Sequence, residues 1–373
     1  MIVEKLRNSL DRPVGSCTPP ETMPLRLRGD GSSIAGDMND STHRSFGEQA
    51  RHYFTRAHTK LPDAPIESPA AWLGKDLCEQ EAIWRVRLSD EDLAEFDAGL
   101  DRLERDGVAI EKVDRSSLPL PRLAARIESW RHELMQGRGF VVVSGFPVER
   151  WGEARSALAF WALGHHIGVP GAQNPDGELL GHVRDYGEQA DSPNVRLYRT
   201  TGNIRFHCDA ADVVGLLCLQ TARKGGQSRI ASSVAIWNAI FERDPESARL
   251  LFEPFAHDLR GEHRPGQPGH ANLQPCCLGE DGVLRTFYHS EYFRSAARLP
   301  EVGALPAHHE ALLDRYDALG ASPDFHLDMW LEPGDMQFIS NHSVIHARTE
   351  YEDYDEPERK RHLLRLWLSL DPV

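Results

Sequence analysis

The sequence predicts a mainly β fold, a barrel decorated by helices. Segments with apolar residues at helical spacing come first, and most later segments are short apolar or alternating runs that are typical of strands. No internal repeat is visible along the 373 residues. Helices followed by strands in one unit are the order expected of a barrel with helices packed on its outside.

Caps and stop signals predict the individual elements. Ser89-Asp-Glu-Asp92 is a capping box, and the helix that follows it ends at Gly107. Apolar residues at helical spacing predict a second helix before Gly137 and a third over residues 153–166. The strands expected after them are Val195 to Tyr198, Val213 to Leu219, Ser228 to Ser233, Phe325 to Leu331 and His362 to Leu370, with a helical insert near residues 233–252.

Composition excludes several kinds of partner. The chain has 42 basic and 57 acidic residues and a net charge of −15, and no Lys/Arg cluster interleaves with aromatic residues, so nucleic acid is not an expected partner. Its apolar runs are shorter than the roughly 18 residues of a membrane helix, and its start lacks the apolar segment of a signal peptide. We therefore expect a soluble, cytoplasmic protein with no membrane partner, whose six cysteines are reduced thiols.

The chemistry centres on two histidine segments. In His207-Cys-Asp209, the two polar side chains point to one face of an extended strand, because alternate side chains share a face. Near the C-terminus, His346 offers a second imidazole on a segment that could fold alongside. Two histidines and one carboxylate on one face of an octahedron are the ligand set of non-haem Fe(II) oxygenases. His342 would share a strand face with His346, so the strand period leaves both open.

Other His-x-Asp/Glu triplets are expected by chance among 18 histidines and 57 acidic residues. His308 lies in a predicted helix, where positions i and i+2 diverge, whereas His326 lies on a predicted strand and is a more serious rival. We prefer His207, because an apolar run and a Gly-Gly turn follow it as they would follow a buried strand and hairpin. The competing triplets are His289-Ser-Glu291, His308-His-Glu310 and His326-Leu-Asp328.

Several stretches, taken in order, resemble a known family. They are Gly139-Phe-Val-Val-Val-Ser-Gly-Phe-Pro147, Phe206 to Leu219, Lys224 to Ser233, Pro333 to Ile339 and Arg361-His-Leu-Leu-Arg365. Together they resemble the TauD/TfdA family of Fe(II)/2-oxoglutarate-dependent dioxygenases. The resemblance implies a double-stranded β-helix, a cupin-like jelly roll, which we place over residues 66–373. Residues 1–65, with Pro and Gly and few regularly spaced apolar residues, are expected to be a flexible N-terminal extension.

The resemblance implies Fe(II) as cofactor, with 2-oxoglutarate and O2 as cosubstrates. His207, Asp209 and His346 would be the catalytic metal ligands, because His346 lies in the family's His-x-Arg context, and His342 would be a polar neighbour. Relatives that halogenate typically carry a small residue in place of the acid. Asp209 therefore favours hydroxylation of an unactivated C–H bond, with release of succinate and CO2.

Two arginines of the last predicted strand are candidates for binding the cosubstrate. Arg361 and Arg365 share a strand face with apolar neighbours, and a buried guanidinium requires an anion such as a carboxylate. By family position, Arg365 would bind the distal C5 carboxylate and Arg361 would lie nearer the C1 end. Many relatives have Thr just before the Gly-Gly turn, where this chain has Lys224, so the second contact to the distal carboxylate stays open.

Asn203, Thr201 and Gln173 fall where relatives commonly place polar groups that contact the substrate. The implied substrate is a small, anionic or amino-acid-like molecule, and dimers are common among relatives, so a homodimer is possible. Two other functions are weighed against this one. They are a non-catalytic barrel protein for binding or assembly, and a cupin-type metal-dependent isomerase or hydrolase, which would need no interior arginine for a dicarboxylate.

Overall fold

The computed structural model describes residues 42–55, 61–188, 196–263, 266–279 and 281–370. Its helices are Phe46–Phe54 (α1), Gly74–Leu77 (α2), Glu81–Trp84 (α3), Asp90–Arg105 (α4), Ala124–Met135 (α5), Val148–Ile167 (α6), Ser233–Arg243 (α7), Pro245–Leu250 (α8), Ser290–Ser295 (α9) and Ala307–Gly320 (α10). Short 3-10 helices occur at Ile110–Lys112, Leu197–Arg199, Ala296–Arg298 and Pro357–Arg359. None of the helices in these ranges has the length and apolar character needed to cross a membrane.

The strands are Arg85–Arg87 (β1), Phe140–Ser144 (β2), Val169–Gly171 (β3), Gly181–Val183 (β4), Ile204–His207 (β5), Val213–Gln220 (β6), Lys224–Gly225 (β7), Ser228–Ser232 (β8), Phe255–Asp258 (β9), His270–Leu273 (β10), Cys276–Leu278 (β11), Leu284–Thr286 (β12), His326–Met329 (β13), Met336–Ser340 (β14), Val344–Arg348 (β15), Tyr351–Glu352 (β16) and His362–Ser369 (β17). The larger sheet has seven strands in the order β1-β2-β14-β6-β17-β3, and β4 also pairs with β17. The smaller sheet has the order β13-β8-β15-β5.

Apolar side chains from both sheets meet in one buried cluster, which forms the interior of the barrel. Phe140, Val214 and Trp367 come from the larger sheet, and Ile230 and Val344 come from the smaller one. Sheets that pack face to face in this way bury alternate residues of each strand. The mainly β barrel that the sequence predicts is therefore present.

The outer face of the larger sheet is covered by helices α4, α5 and α6. Leu364, Leu366 and Leu368 of β17 join the helices' apolar side chains in a second buried cluster, while Trp367 of the same strand lies in the barrel interior. Both faces of β17 are buried, which explains why it reads as an almost continuous apolar run. Its alternation decides which polar residues of the strand reach the interior.

The smaller sheet is covered by α7, α8 and α10 on its outer face. Trp237 and Tyr316 of these helices pack with Ile345 of β15 in a third buried cluster. Helices α7 and α8 occupy the stretch where the sequence predicts a helical insert. The strand predicted over Val195 to Tyr198 is wrong, because Leu197–Arg199 forms a 3-10 helix. Val195 lies outside the described residues.

The described cysteines are free thiols, as predicted: Cys78, Cys208, Cys218, Cys276 and Cys277. Burial raises the pKa of Cys208 and of Cys218 to about 12, so both stay protonated at neutral pH. Cys17 lies outside the described residues.

The expectation of a flexible extension over residues 1–65 is wrong for its described part. Residues 1–41 and 56–60 lie outside the described residues. Helix α1 begins with a capping box, in which Ser45 and Glu48 each bind the other's backbone N–H. Its Gln49 and Tyr53 side chains are buried, and Gln49 Oε1 accepts a hydrogen bond from the Ser369 hydroxyl. This part of the chain packs on the barrel because a single helix face supplies enough buried contacts, even where the average composition is polar.

Candidate active site

The smaller sheet brings the predicted metal ligands together. His207 ends β5 and pairs directly with His346 of the antiparallel strand β15, and Asp209 follows two residues later. His207 Nε2 lies 3.9 Å from Asp209 Oδ1, and His346 Nε2 lies 3.8 Å from Asp209 Oδ2. One donor atom of each residue lies within 4.8 Å of the other two. The three donors therefore converge so that they could bind one side of a single metal ion, and two imidazoles with one carboxylate fit Fe(II).

The protonation states suit metal binding. Burial acts to raise the pKa of Asp209, but the neighbouring Arg365 guanidinium and the hydrogen bond from Trp367 act against it, so the pKa is lowered and the carboxylate is charged at neutral pH. Burial and the neighbouring His207 lower the pKa of His346 to about 3, so its imidazole is neutral. His207 Nδ1 lies 2.9 Å from the Arg205 carbonyl oxygen, to which it can donate, which leaves Nε2 with the lone pair that a metal requires.

Two further residues hold Asp209 in place. Trp367 Nε1 donates to Asp209 Oδ2 at 3.0 Å, and Asn341 Oδ1 accepts a hydrogen bond from the Asp209 backbone N–H at 3.0 Å. Sequence reasoning did not assign a role to either residue. For Trp367 a signal was available, since it lies two positions beyond Arg365 on the inward face of the last strand.

His342 is part of a hydrogen-bond network and lies outside the ligand set. Its Nε2 lies 2.8 Å from Asp212 Oδ1, and its ring stacks on Tyr53 at a centroid distance of 5.0 Å. Asp212 also accepts from the Leu370 backbone N–H. The expectation of a polar neighbour for His342 agrees with these contacts.

The rival triplets do not assemble a third ligand. His326 Nε2 lies 3.8 Å from Asp328 Oδ1, but the Asp328 side chain is 40% exposed and accepts a hydrogen bond from Arg229. His308 lies exposed on α10, and His289 lies beside His207 with ring centroids 5.2 Å apart. Within the described ranges, the groups of three or more potential ligands are the one above and Glu153, His182 and His362 on the other side of the larger sheet.

Arg365 lies on β17 and Arg361 immediately before it. Their distances from Asp209 have the opposite order from the one expected. Arg365 Nη1 lies 3.7 Å from Asp209 Oδ2, and its neighbour Trp367 bonds the same oxygen, so Arg365 lies beside the metal ligands. Arg361 lies four residues earlier along the extended chain, which places its Cα about 13 Å from that of Arg365. Arg361 is therefore the residue farther from the metal ligands, and Arg365 the nearer one.

Arg361 shares its buried surroundings with a second arginine. Arg361 and Arg348 are 6% and 5% exposed, and their guanidinium groups lie 5.0 Å and 4.8 Å from the ring centroid of Tyr351. Burial and repulsion by Arg361 lower the pKa of Arg348 to about 10, and burial lowers the pKa of Arg361. In the described part of the chain, Nη1 of each arginine lacks a hydrogen-bond partner. Two buried cations with unused donors form a site for an anion.

A cavity of about 510 Å³ opens beside Arg361. The residues that line it include Cys218 and Leu363 of adjacent strands, Thr221, and Gly225 and Gly226 of the turn. A Cβ added to Gly226, whose φ is +74°, would lie 3.0 Å from Arg361 Nε, so the missing side chain lets the guanidinium lie against the turn. The space and the charge fit one end of a dicarboxylate.

Lys224 takes no part in this cavity. Its side chain is 78% exposed, and its Nζ lies 3.6 Å from Glu352. The lysine that stands where many relatives have Thr therefore points outward. It supplies no contact to a buried carboxylate.

The residues expected to contact the substrate lie in different surroundings. Gln173 is fully buried; its Oε1 accepts from Arg365 Nε at 2.6 Å, and its Nε2 donates to the Arg365 carbonyl oxygen. It therefore positions Arg365, and the prediction that it contacts substrate is not supported by its geometry. Thr201 lies half-buried and its carbonyl oxygen accepts from the Tyr351 N–H, whereas Asn203 is exposed just before β5.

Known proteins resemble this chain in sequence. The profile of a family described as "Taurine catabolism dioxygenase TauD, TfdA family" matches residues 102–367. FR-33289 synthase of Streptomyces rubellomurinus is 30% identical over 82% of this chain and 91% of the relative. Taurine hydroxylase-like protein SAT17 of Stachybotrys chartarum is 28% identical over 85% of this chain and 81% of the relative. A uridine-5'-phosphate dioxygenase of Amycolatopsis sp. is 26% identical over 51% of this chain and 70% of the relative.

Solved structures resemble it in fold. An asparagine oxygenase in complex with Fe(II), 3-hydroxyasparagine and succinate superposes with a TM-score of 0.62 at 17% identity, covering 77% of this chain and 94% of that one. The non-haem iron oxygenase OrfP in complex with Fe and α-ketoglutaric acid has a TM-score of 0.56 at 14% identity, with the same coverage of both chains. The predicted cupin-like jelly roll is confirmed by this likeness.

Proposed function

Because the chain belongs to the TauD/TfdA family and is an Fe(II)/2-oxoglutarate-dependent oxygenase, we propose that it hydroxylates an unactivated C–H bond of a small anionic or amino-acid-like molecule. The convergence of His207, Asp209 and His346 beside buried arginines carries the proposal. Fe(II) bound there would supply, with 2-oxoglutarate and O2, the oxidising equivalents for breaking the C–H bond, with release of succinate and CO2. The non-catalytic and isomerase alternatives do not account for the family or for the interior arginines.

The cosubstrate's two ends have separate partners in this proposal. The distal C5 carboxylate lies at Arg361, with Arg348 as the second cation in the role that Thr has in many relatives. Both guanidiniums are buried and carry unused donors, which a carboxylate would satisfy in charge and hydrogen bonds. Arg365, which lies next to Asp209, serves the end nearer the metal ligands. Gln173 holds Arg365 in position through its amide.

The substrate has a separate wall beside His207. The His289 ring lies 5.2 Å from His207 and stacks on Tyr292 at 3.7 Å, and the Arg260 guanidinium lies 4.5 Å from the Tyr292 ring. We place the substrate against this wall, with Thr201 and Asn203 on the loop that leads into β5. A cation at the edge of an aromatic wall suits an anionic substrate. Relatives named for a phosphate ester and for an amino acid are compatible with that class.

An anaerobic titration tests the metal centre. Adding Fe(II) and 2-oxoglutarate together to the protein should give a visible absorption band that neither gives alone, because the 2-oxo acid chelates the bound metal. His207→Ala should lose the band, and His326→Ala, from the rival triplet, should keep it. The reverse result would move the metal to His326. A screen of anionic and amino-acid-like compounds for substrate-stimulated succinate formation then identifies the substrate, and a product formed without O2 uptake would contradict the oxygenase.

A matched pair of variants tests the cosubstrate site. Arg361→Met should raise the KM for 2-oxoglutarate by roughly 10- to 100-fold, since a hydrogen bond to a charged group contributes about 1.5–3 kcal/mol. Lys224→Met should leave that KM within about twofold, because the lysine side chain points into solvent. Arg348→Met should lower the preference for 2-oxoglutarate over 2-oxopentanoate, which lacks the distal carboxylate. An equal loss for both acids would instead assign Arg348 a purely structural role.

A further inference from the structure

A second group of metal-binding side chains lies on the outer face of the larger sheet. His362 is two positions from Leu364 on β17, and Leu364 packs against the outer helices, so His362 faces the same side. His182 of β4 is paired with Leu364 in the register and faces that side too. Glu153 approaches from α6, the helix that covers this face. Arg361 and Arg365, at odd positions of the same segment, have their contacts in the interior.

The three side chains are close enough to share one ion. His182 Nδ1 lies 2.8 Å from His362 Nε2, and Glu153 Oε1 lies 3.8 Å from His182 Nδ1. One donor atom of each lies within 4.8 Å of the others, a limit that the active-site triad also satisfies. The His182 and His362 rings are stacked at a centroid distance of 5.1 Å. Two facing imidazole nitrogens at this distance repel each other unless a proton or a cation lies between them.

We propose that Glu153, His182 and His362 bind a divalent transition metal ion, Zn(II), that connects three elements of the fold. Two imidazoles and a carboxylate are nitrogen and oxygen ligands at which Zn(II) is commonly found, and water would complete a tetrahedron. The ion joins α6, β4 and β17. Strand β4 pairs with β17 over Leu363 to Arg365 alone, so the ion would strengthen a short pairing beside the arginines of the active site. The proposal does not depend on the substrate or on the reaction.

The test uses a protein whose active-site ligands are removed. The full chain with His207→Ala and His346→Ala is dialysed against micromolar Zn(II), and bound zinc is measured by elemental analysis. We expect about one zinc per chain. Adding His182→Ala or Glu153→Gln to this background should abolish binding. Glu153 is 56% exposed, so its conservative variant does not threaten folding. His308→Ala, which removes an exposed histidine elsewhere, should leave binding unchanged.

The outcomes separate the proposal from a simple hydrogen bond between the two imidazoles. A hydrogen bond predicts no zinc in the background variant, and that result would overturn the proposal. If zinc were retained in the derivative with His182→Ala and also in the one with Glu153→Gln, the ion would lie elsewhere. That result would also overturn the proposal. A supporting readout is thermal unfolding, in which Zn(II) should raise the Tm of the background variant and leave the Tm of its His182→Ala derivative unchanged. The single variant His182→Ala, whose active-site residues are intact, should retain the Fe(II)/2-oxoglutarate absorption band. That band verifies that the variant is folded.

Discussion

At the scale of single residues, the position of the Asp209 carboxylate, the proposed metal ligand, depends on Trp367. The indole N–H donates to Asp209 Oδ2, the oxygen that lies nearest to His346 Nε2. Trp367→Phe keeps the aromatic ring in the barrel core but removes this donor. Partners of this kind orient the ligand, and their loss typically lowers metal affinity by about 10- to 100-fold. We expect the Fe(II) dissociation constant, measured from the absorption band at saturating 2-oxoglutarate, to rise by at least about tenfold.

Trp151→Phe is the matched control, because the Trp151 indole N–H also donates to a carboxylate, that of Asp97, but lies with the helices on the outer face of the larger sheet and should leave Fe(II) affinity unchanged. An unaltered Fe(II) affinity in Trp367→Phe, with a native circular dichroism spectrum, would show that the hydrogen bond has no role in binding the metal.

The sequence predicted three residues that the structure brings together, His207, Asp209 and His346, but few of the contacts that support them. His207 and Asp209 are two positions apart, so the strand period alone places them on one face. Trp367 and Gln173 make their contacts with Asp209 and Arg365 across 158 and 192 residues of chain, where no local pattern indicates a pairing. No sequence pattern therefore indicated that Gln173, expected to contact the substrate, contacts Arg365.

At the scale of whole elements, β17 was predictable and α1 was not. The apolar run of β17 and its alternation predicted a strand with inward-facing arginines, which the structure shows over His362–Ser369. The order of Arg361 and Arg365 relative to the metal depends on how β17 is aligned with β6, and a sequence alone does not fix that register. Helix α1 was missed because its buried face is narrow and lies within a polar stretch.

Helix α1 gives a test at this scale. Tyr53 is buried against Phe54, Phe287 and His342, and its hydroxyl donates to the Thr286 carbonyl oxygen at 2.9 Å. Truncating a buried aromatic side chain typically costs about 3–5 kcal/mol, and the Thr286 contact is lost as well. Tyr53→Ala should therefore lower the free energy of unfolding by about that amount in urea denaturation. If residues 42–55 were a flexible arm, the variant would be as stable as the wild type.

At the scale of the whole molecule, buried neutral histidines set the response of the apoprotein to acid. Burial lowers the pKa of His257 to about 4 and that of His165 to about 4, against an ordinary value of about 6.5. As the pH falls below about 6.5, the unfolded chain binds protons that the folded chain does not. Unfolding free energy must therefore decrease between about pH 6.5 and 4. Burial acts to raise the pKa of Asp258, but hydrogen bonds from arginine and serine lower it to about 2, and serine hydrogen bonds lower the pKa of Asp114 to about 2. These two carboxylates therefore affect the unfolding free energy only at lower pH.

His257 isolates one of these contributions. Its ring packs among Phe287, Tyr292 and Phe293, and within the described residues neither ring nitrogen has a hydrogen-bond partner, so phenylalanine can fill the same space without titrating. Between pH 7.5 and pH 5, the linkage for a pKa that falls from about 6.5 to about 4 on folding amounts to about 2 kcal/mol. Urea unfolding of the apoprotein in EDTA should show that His257→Phe loses about 2 kcal/mol less over this range than the wild type. The other histidines titrate in both proteins and cancel in the difference, and the exposed variant His308→Phe should follow the wild type. Equal losses in His257→Phe and the wild type would mean that His257 accepts a proton in the folded chain as readily as in the unfolded one.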